Sequence, residues 1–213
     1  MKLVEPNVEI VSMNDYQTIL KKLEKIGRVC YKSEGCITET SAEPFIVSIL
    51  KRGHESVIEH ESVTVRITCD RGVTHEIVRH RLASYSQEST RYCNYGNERF
   101  ESQIHVIDIA SGFQYDLTNE NDAKKYEIWN QAMQDAEKHY FALLNAGATP
   151  QEARSVLPNS LKTEIVVTMN LREWRHFLKL RTDKAAHPQM REVANKIFEL
   201  FEESIPVFVS GIH

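Results

Sequence analysis

Residues 76–95 concentrate side chains that bind anions: three arginines and a histidine lie among hydroxyl groups, although the 213-residue chain has a formal net charge of −4. Guanidinium groups form forked, charge-assisted hydrogen bonds with phosphate oxygens, and hydroxyl groups such as that of Ser89 can satisfy the remaining lone pairs. This mixture is typical of a site for a phosphorylated ligand. A solvated basic helix end paired with Glu76 and Glu88 explains the composition equally well, so composition leaves both interpretations open.

Two other kinds of chemistry are disfavoured in the same region. A helical H-E-x-x-H zinc site needs histidines four residues apart, whereas His75 and His80 are five apart and diverge by about 140° around a helix. We therefore predict no metal site. Cys93 lies beside the arginines, whose positive charge could favour a reactive thiolate. No local pattern of a cysteine hydrolase surrounds it, so an incidental thiol is the favoured interpretation.

Composition limits the class of protein. An isoelectric point of about 6.2 argues against a general nucleic-acid binder, because such proteins carry a broad basic face. The first residues do not resemble a signal peptide, and no apolar run approaches the roughly 18 residues of a membrane span. The four cysteines form no C-x-x-C pair, which suits reduced thiols. We expect a soluble cytoplasmic protein with neither nucleic-acid nor membrane partners.

The candidate residues must be positioned by the elements around them. Period-two alternation predicts strands over "SVTVRITCD" (62–70) and "TEIVVTMN" (163–170). Asp70 is predicted to cap a helix that delivers Arg79, His80 and Arg81 near its end, and the polar segment 83–97 is predicted to be a loop. Apolar spacing and capping signals predict further helices over 14–25, from Ser41 to near Gly53, over 121–145, after the capping box "TPQE" (149–152), over 171–181 and over 188–205.

The predicted elements include too few strong strands for a doubly wound sheet. We therefore predict an α+β fold: a single mixed domain over residues 1–213, with a central, largely antiparallel sheet flanked by helices.

One spacing is specific. Arg79, His80 and Arg81 are followed, after seven residues, by Ser89. This R-H-R-x7-S pattern resembles the motif of the flavin-dependent thymidylate synthases. The resemblance extends to "GHESVIEH" (53–60), "ASYSQESTRY" (83–92), "ARSVLP" (153–158) and "MNLREWRHFLKLR" (169–181), in the family's order and spacing.

The resemblance implies a reaction and a set of ligands. Proteins of that family use FAD to convert dUMP into dTMP, with methylenetetrahydrofolate as carbon donor and NADPH as reductant, and they are homotetramers whose sites lie between subunits. The implied FAD-binding residues are Ser56, Arg79, His80, Arg81, Gln87, Asn170, Leu171, Arg172 and His176. The implied dUMP-binding residues are Glu76, Ile77, Val78, Arg79, Gln87, Glu88, Ser89, Thr90, Arg91, Arg154 and Arg181. Two phosphorylated ligands in one site would explain the cluster of cations.

Arg181 is the implied catalytic residue. The uracil ring must become electron-rich at C5 before it attacks a one-carbon unit, and an arginine can stabilise the negative charge that develops on the N3/O2 side. The alternative is a purely structural role, in which an arginine at the helix C-terminus interacts favourably with the helix dipole. That interaction stabilises a helix by about 0.3–1 kcal/mol.

Some positions depart from the family's usual residues. Glu76 stands where glutamine is usual, the pair Ser86-Gln87 where Asn-Glu is usual, and His176 where asparagine can occur. An ionised Glu76 cannot donate a hydrogen bond, so its contact with a nucleotide must differ. Two rival functions predict different observations: a nucleic-acid module binds polynucleotides in a salt-sensitive way without a chromophore, and a cysteine-dependent dUMP methylase requires an essential cysteine.

Overall fold

The chain contains both strands and helices in this computed structural model, which describes residues 1–97 and 101–212. The strands are β1 (Lys2–Val4), β2 (Asn7–Ser12), β3 (Ser62–Asp70), β4 (Ala83–Gln87), β5 (His105–Ile107) and β6 (Lys162–Asn170). The α-helices are α1 (Tyr16–Tyr31), α2 (Ala42–Lys51), α3 (Arg71–Ile77), α4 (Ala110–Phe113), α5 (Glu120–Asn145), α6 (Pro150–Ala153), α7 (Leu171–Arg181) and α8 (Pro188–Ser204). None of the described helices combines the length and apolar character needed to cross a bilayer.

The central sheet has the strand order β2-β3-β6-β4, and every neighbouring pair in it is antiparallel. Because side chains alternate across a strand, β3 buries every second residue, and the buried Val65 and Ile67 lie opposite Val167 and Ile165 of β6. A separate parallel pair joins β1 to β5. The predicted α+β class and antiparallel sheet are confirmed.

Helices cover the apolar face of the sheet. The main core joins this face to α1, α2, α3, α7 and α8, and its largest fully buried side chains include Trp174, Phe177 and Phe201. A smaller cluster around Tyr140 and Leu161 packs α5 and α6 against β5. Burial of these apolar surfaces, at about 25 cal/mol per Å², is the main driving force that holds the helices on the sheet.

Most of the predicted helices are confirmed, with shifted ends. α1 continues to Tyr31, beyond the predicted end at residue 25, and α2 ends at Lys51, two residues before Gly53, whose φ is +71°. Ser41 precedes α2 but does not cap it, because its hydroxyl bonds instead with the N–H and carbonyl of Thr38. The capping box at Thr149 and Glu152 is present as predicted.

Two predictions around the motif are wrong. α3 ends at Ile77, so Arg79, His80 and Arg81 lie in the turn after the helix. Residues 83–87, predicted to be a loop, form β4 and pair with β6 from Ala83↔Met169 to Gln87↔Ile165. The segment is too polar to show a strand pattern, but hydrogen bonding to the edge of a preformed sheet favours the extended conformation regardless of polarity.

Candidate active site

The lengths of the elements bring the ends of α3 and α7 together. β3 and β6 are antiparallel, each has nine residues, and each is followed directly by its helix, so the two helices start at opposite ends of the sheet. The strands span about 30 Å at ~3.3 Å per residue. α3 and α7 pack on the same face and together span about 27 Å at 1.5 Å per residue, so their C-terminal ends approach each other.

Both helices are started by the residue that ends the strand before them. The Asp70 carboxylate accepts a hydrogen bond from the N–H of Val73 at 2.6 Å, and the Asn170 side-chain oxygen accepts one from the N–H of Glu173 at 2.9 Å. Such caps satisfy N–H groups that have no partner inside the helix. The caps therefore fix where α3 and α7 begin, and with it where Arg181 lies.

The guanidinium of Arg181 is the centre of the site. Its Nη1 lies 2.8 Å from Oε2 of Glu76, its Nη2 donates to the Glu76 carbonyl at 3.1 Å, and its Nε donates to Nε2 of His80 at 3.2 Å. The arginine side chain is 15% exposed. Three hydrogen bonds in this fork geometry determine both the position and the plane of the group.

His80 is buried behind Arg181. Its Nδ1 lies 3.0 Å from Oε1 of Glu173, and its ring packs 4.8 Å from that of Phe177 and 5.6 Å from that of His176, centroid to centroid. Burial lowers the pKa of His80 below its usual 6.5, and the charge of Arg181 lowers the pKa further, while the hydrogen bond with Glu173 opposes the shift. His80 is therefore neutral at neutral pH.

A cavity of about 550 Å³ opens beside this network. The first turns of α7, the 3₁₀ turn Glu55–His60 and the end of the described chain surround it, and its lining residues are Glu55, Glu59, Leu82, Asn170, Arg172, Glu173, Arg175, His176, Lys179, Gly211 and Ile212. Three of the residues predicted to bind FAD, Asn170, Arg172 and His176, thus line this cavity. Ser56, also predicted, is exposed on the same 3₁₀ turn.

A second cavity, of about 470 Å³, holds other predicted residues. Thr90 and Arg154 line it together with Arg71 and His75, and Nη1 of Arg154 donates to the Thr90 hydroxyl at 3.5 Å. The two cavities have no lining residue in common among those described. On one chain, Thr90 and Arg154 of the predicted dUMP residues therefore lie in this second cavity, whereas Glu76 and Arg181 lie in the network beside the first.

Several predicted residues already have partners within the protein. Glu88 accepts a hydrogen bond from the Tyr95 hydroxyl at 2.9 Å and pairs with Lys162 at 3.3 Å. The amide nitrogen of Gln87 donates to the hydroxyls of Thr74 and Thr163.

The side chains of two residues predicted to bind ligands are buried. Ile77 is completely buried, and its carbonyl accepts from the Tyr85 hydroxyl. Leu171 is buried, and its N–H donates to the carbonyl of Glu61. These two side chains are not available to a ligand.

The remaining predicted cations face outward. Arg79, Arg81 and Arg91 are exposed, as is Val78, and the Arg91 guanidinium lies 5.3 Å from the centroid of the Tyr92 ring. Ser89 accepts a hydrogen bond from the N–H of Arg91.

The alternative interpretation was a solvated basic helix end whose arginines pair with Glu76 and Glu88. Those ion pairs are not found within the described residues. Glu76 pairs with Arg181 and Glu88 pairs with Lys162, rather than with Arg79 or Arg81.

Glu173 was missed by sequence reasoning. It is 8% exposed, and its neighbours Trp174 and Phe177 belong to the core. The available signal was a carboxylate at the edge of the apolar face of a helix, where an acidic residue needs a partner to be buried.

His80, Glu173 and His176 form a group of potential metal ligands, with ligand atoms within 4.8 Å of one another. Both ring nitrogens of His80 are already in hydrogen bonds, with Glu173 and with Arg181. The arrangement therefore suits a hydrogen-bonded network better than a metal centre, since a ligating nitrogen must have a free lone pair directed at the ion.

Comparison with known proteins identifies the family. The sequence model described as thymidylate synthase complementing protein matches residues 12–207. A flavin-dependent thymidylate synthase of Geobacter sulfurreducens is 34% identical over 187 residues, which cover 84% of this chain and 76% of that protein. The chain belongs to the flavin-dependent thymidylate synthase family. A family member from Pyrococcus furiosus is 38% identical over 164 residues, which cover 76% of this chain but 64% of that protein.

The fold of this family member has a counterpart among solved structures. The crystal structure of a UMP/dUMP methylase, PolB from Streptomyces cacaoi, bound with 5-Br dUMP, superposes with a TM-score of 0.78 and covers 98% of this chain and 95% of that one, at 24% identity. At this identity the likeness shows that the fold is shared. The chain spans less than two thirds of the length of the Pyrococcus furiosus relative.

Proposed function

We propose that this protein makes dTMP by reductive methylation of dUMP, with FAD as bound cofactor, methylenetetrahydrofolate as carbon donor and NADPH as reductant. The observation that carries the proposal is the fixed guanidinium of Arg181, held by Glu76 and His80 beside a cavity lined by Asn170 and His176. Preorganised charge directed at the place where negative charge develops is commonly the largest contribution to catalysis.

The residues around the first cavity suit FAD. Its volume lies within the range of ligand pockets. Lys179 and Arg172 place cations at its wall, which suits a pyrophosphate, and Arg172 would exchange its ion pairs with Glu55 and Glu59 for the ligand. Leu82 is 72% exposed at the rim, where a flat aromatic ring can cover it. When bound, FAD supplies hydride-transfer chemistry. Asn170, Arg172 and His176 would bind and orient it there, together with the exposed Ser56, Arg79 and Arg81.

Arg181 would act on the pyrimidine without any proton transfer of its own. Arginine remains protonated, so its guanidinium can only donate hydrogen bonds and attract negative charge. Directed at the N3/O2 side of uracil, it would stabilise the electron-rich ring that attacks the one-carbon unit. Its hydrogen bonds go to Glu76 and His80 rather than to carbonyls of its own last turn, which is not the pattern of a simple helix cap.

We further propose a homotetramer whose sites are shared between subunits. The division of the predicted dUMP residues supports it, because Thr90 and Arg154 line a different cavity from the one beside Arg181 in the same chain. A second copy could bring Ser89, Arg91 and Arg154 to the Arg181 of its neighbour. We also propose that residues 1–213 form one domain and that the protein acts in the cytoplasm.

Two measurements test the function. Purified protein should be yellow and release FAD on denaturation, and it should convert dUMP to dTMP when both methylenetetrahydrofolate and NADPH are present. Omission of either should abolish the product. A colourless protein with salt-sensitive binding to polynucleotides would instead indicate the nucleic-acid module, and dTMP formation without flavin that thiol alkylation destroys would indicate cysteine chemistry.

A further inference from the structure

We propose that Glu173 is a positioning residue: it fixes the tautomer of His80 and, through that ring, the orientation of the Arg181 guanidinium. The importance of that orientation for turnover rests on the proposed function. The tautomer itself does not, because it is a property of the folded chain.

The direction of the hydrogen bonds follows from the donors. Nε of Arg181 always carries a hydrogen, so Nε2 of His80, 3.2 Å away, must accept and must itself be unprotonated. A neutral His80 then carries its proton on Nδ1, which needs an acceptor, and Oε1 of Glu173 lies 3.0 Å from it. One tautomer satisfies both bonds, and the other satisfies neither.

The surroundings of Glu173 favour this role. The carboxylate lies in the first turn of α7, where the helix dipole stabilises negative charge and offsets part of the cost of burial. Glu173 does not form a reciprocal capping box with Asn170; within the described residues its carboxylate bonds to His80. A glutamate needed only to favour the helix terminus would not have to be buried against an imidazole.

Protonation of His80 would disrupt the arrangement, because a second ring hydrogen would meet Nε–H of Arg181. The charged and titratable groups facing His80 are Glu173, His176 and Arg181 of α7, with Glu76 of α3 bonded to the far side of Arg181. On β4, the Tyr85 hydroxyl donates to the His80 carbonyl. Burial and Arg181 both lower the pKa of His80, so the accepting form is maintained at neutral pH.

The first test reads the tautomer directly. Nitrogen-15 NMR of protein labelled at histidine distinguishes protonated from unprotonated ring nitrogens, and a His80→Asn variant assigns the signals. In the wild type we expect a proton on Nδ1 and none on Nε2. In Glu173→Gln the amide can either accept or donate, so Nδ1 no longer requires a proton. We expect a mixture of tautomers or a switch to the other one, in which Nε of Arg181 loses its hydrogen bond to His80. A wild-type His80 protonated on Nε2 would overturn the proposal, whatever the activity of the enzyme.

The second test separates positioning from folding. Glu173→Gln should reduce kcat by about tenfold to a hundredfold while FAD occupancy stays unchanged, by analogy with the loss found when the partner that orients a metal-bound histidine is replaced. Because the carboxylate raises the pKa of His80, its removal should also move the acid limb of the kcat/KM profile to lower pH. The matched control, Glu202→Gln, removes an exposed carboxylate from α8 and should leave both quantities unchanged.

These outcomes remain distinct from failure of the proposed function. A wild-type protein that shows the Nδ1–H tautomer but makes no dTMP would contradict the function and leave the tautomer assignment intact. An unaltered kcat in a folded Glu173→Gln variant whose tautomer has changed would contradict the positioning role. Should Glu173→Gln fail to fold, the wild-type spectrum still decides the tautomer.

Discussion

Arg181 donates hydrogen bonds to both the side-chain carboxylate and the backbone carbonyl of Glu76, at 2.8 and 3.1 Å, although the two residues are 105 positions apart. The carboxylate partly neutralises the guanidinium that we propose as the electrostatic catalyst. A pyrimidine that uses Arg181 must therefore share it with Glu76 or displace that carboxylate.

Glu76→Gln should raise kcat/KM for dUMP by about tenfold, equivalent to ~1.4 kcal/mol, because the amide keeps a neutral hydrogen bond and leaves the full charge of Arg181 for the ring. Glu76→Ala should not show this gain, since it also removes the partner that orients Nη1. Steady-state kinetics of the two variants provide the comparison. A Glu76→Gln enzyme that is slower than the wild type would mean that the carboxylate itself contacts the substrate productively.

Arg181→Lys should retain the positive charge yet lose at least about a hundredfold in kcat, since a lysine offers a point charge and cannot form the three-way fork. FAD content should stay normal, as measured by absorbance after gel filtration. Arg191→Lys, in which an arginine bonded to the Lys184 carbonyl is changed, is the matched control. Equal activity of the Arg181→Lys enzyme and the wild type would reduce Arg181 to a structural role.

Subunit mixing tests the shared site. Arg91→Ala and Arg181→Ala should each be nearly inactive alone, but a mixed pair contains one site with both changes and one with neither. Random one-to-one mixing makes half of the pairs mixed, so activity should recover to roughly a quarter of that of the wild type by symmetry. Turnover is measured after co-expression of the two variants. Absence of recovery despite proven exchange would place both arginines in the site of the same chain.

Replacement of all four cysteines should leave dTMP formation largely intact. Cys30 and Cys36 are exposed, whereas Cys69 is buried in the core, where burial raises the pKa of its thiol and makes it unreactive. The combination of serine at 30, 36 and 93 with alanine at 69 avoids a buried hydroxyl and costs about 1 kcal/mol of stability. A folded, FAD-loaded variant without turnover would show that a thiol takes part in the reaction.

Acid should destabilise the protein partly through His80. Since burial lowers its pKa in the folded state below 6.5, the unfolded state binds the proton more tightly, and stability is lost as the pH falls below about 6.5. His80→Asn should therefore lose up to about 1 kcal/mol less than the wild type between pH 7.5 and 5.5. Urea unfolding at both pH values measures the difference. His105, whose pKa burial also lowers, remains in both proteins. An equal loss in both would contradict the assignment.

Local patterns predicted what depends on local causes. The strands β3 and β6 follow from alternation, and the caps at Asp70 and Thr149 follow from side chains that lie next to the N–H groups they satisfy. β2 and β4 escaped prediction because both are short and β4 is mostly polar, and their extended conformation depends on hydrogen bonds to β3 and β6.

The candidate site was predicted as a set of residue types but not as an arrangement. The motif indicated His80 and the wider family resemblance indicated Arg181, yet their contacts with Glu173 and Glu76 depend on where α3 and α7 end above the sheet. A single sequence contains no pattern that reports this distance. The separation of Thr90 and Arg154, which line the second cavity, from the Arg181–Glu76 pair depends on the same tertiary geometry.

The pairing of β4 with β6 gives a structural reason for the seven-residue spacing of the motif. The five residues of β4 span about 17 Å and lie between Arg81 and Ser89, so the spacing matches the length of edge strand that separates these two residues. Deletion of one residue would shorten this span and turn Tyr85, whose hydroxyl donates to the His80 carbonyl, to the opposite face. The number of residues in this segment is therefore under tighter physical constraint than the identity of its exposed serines.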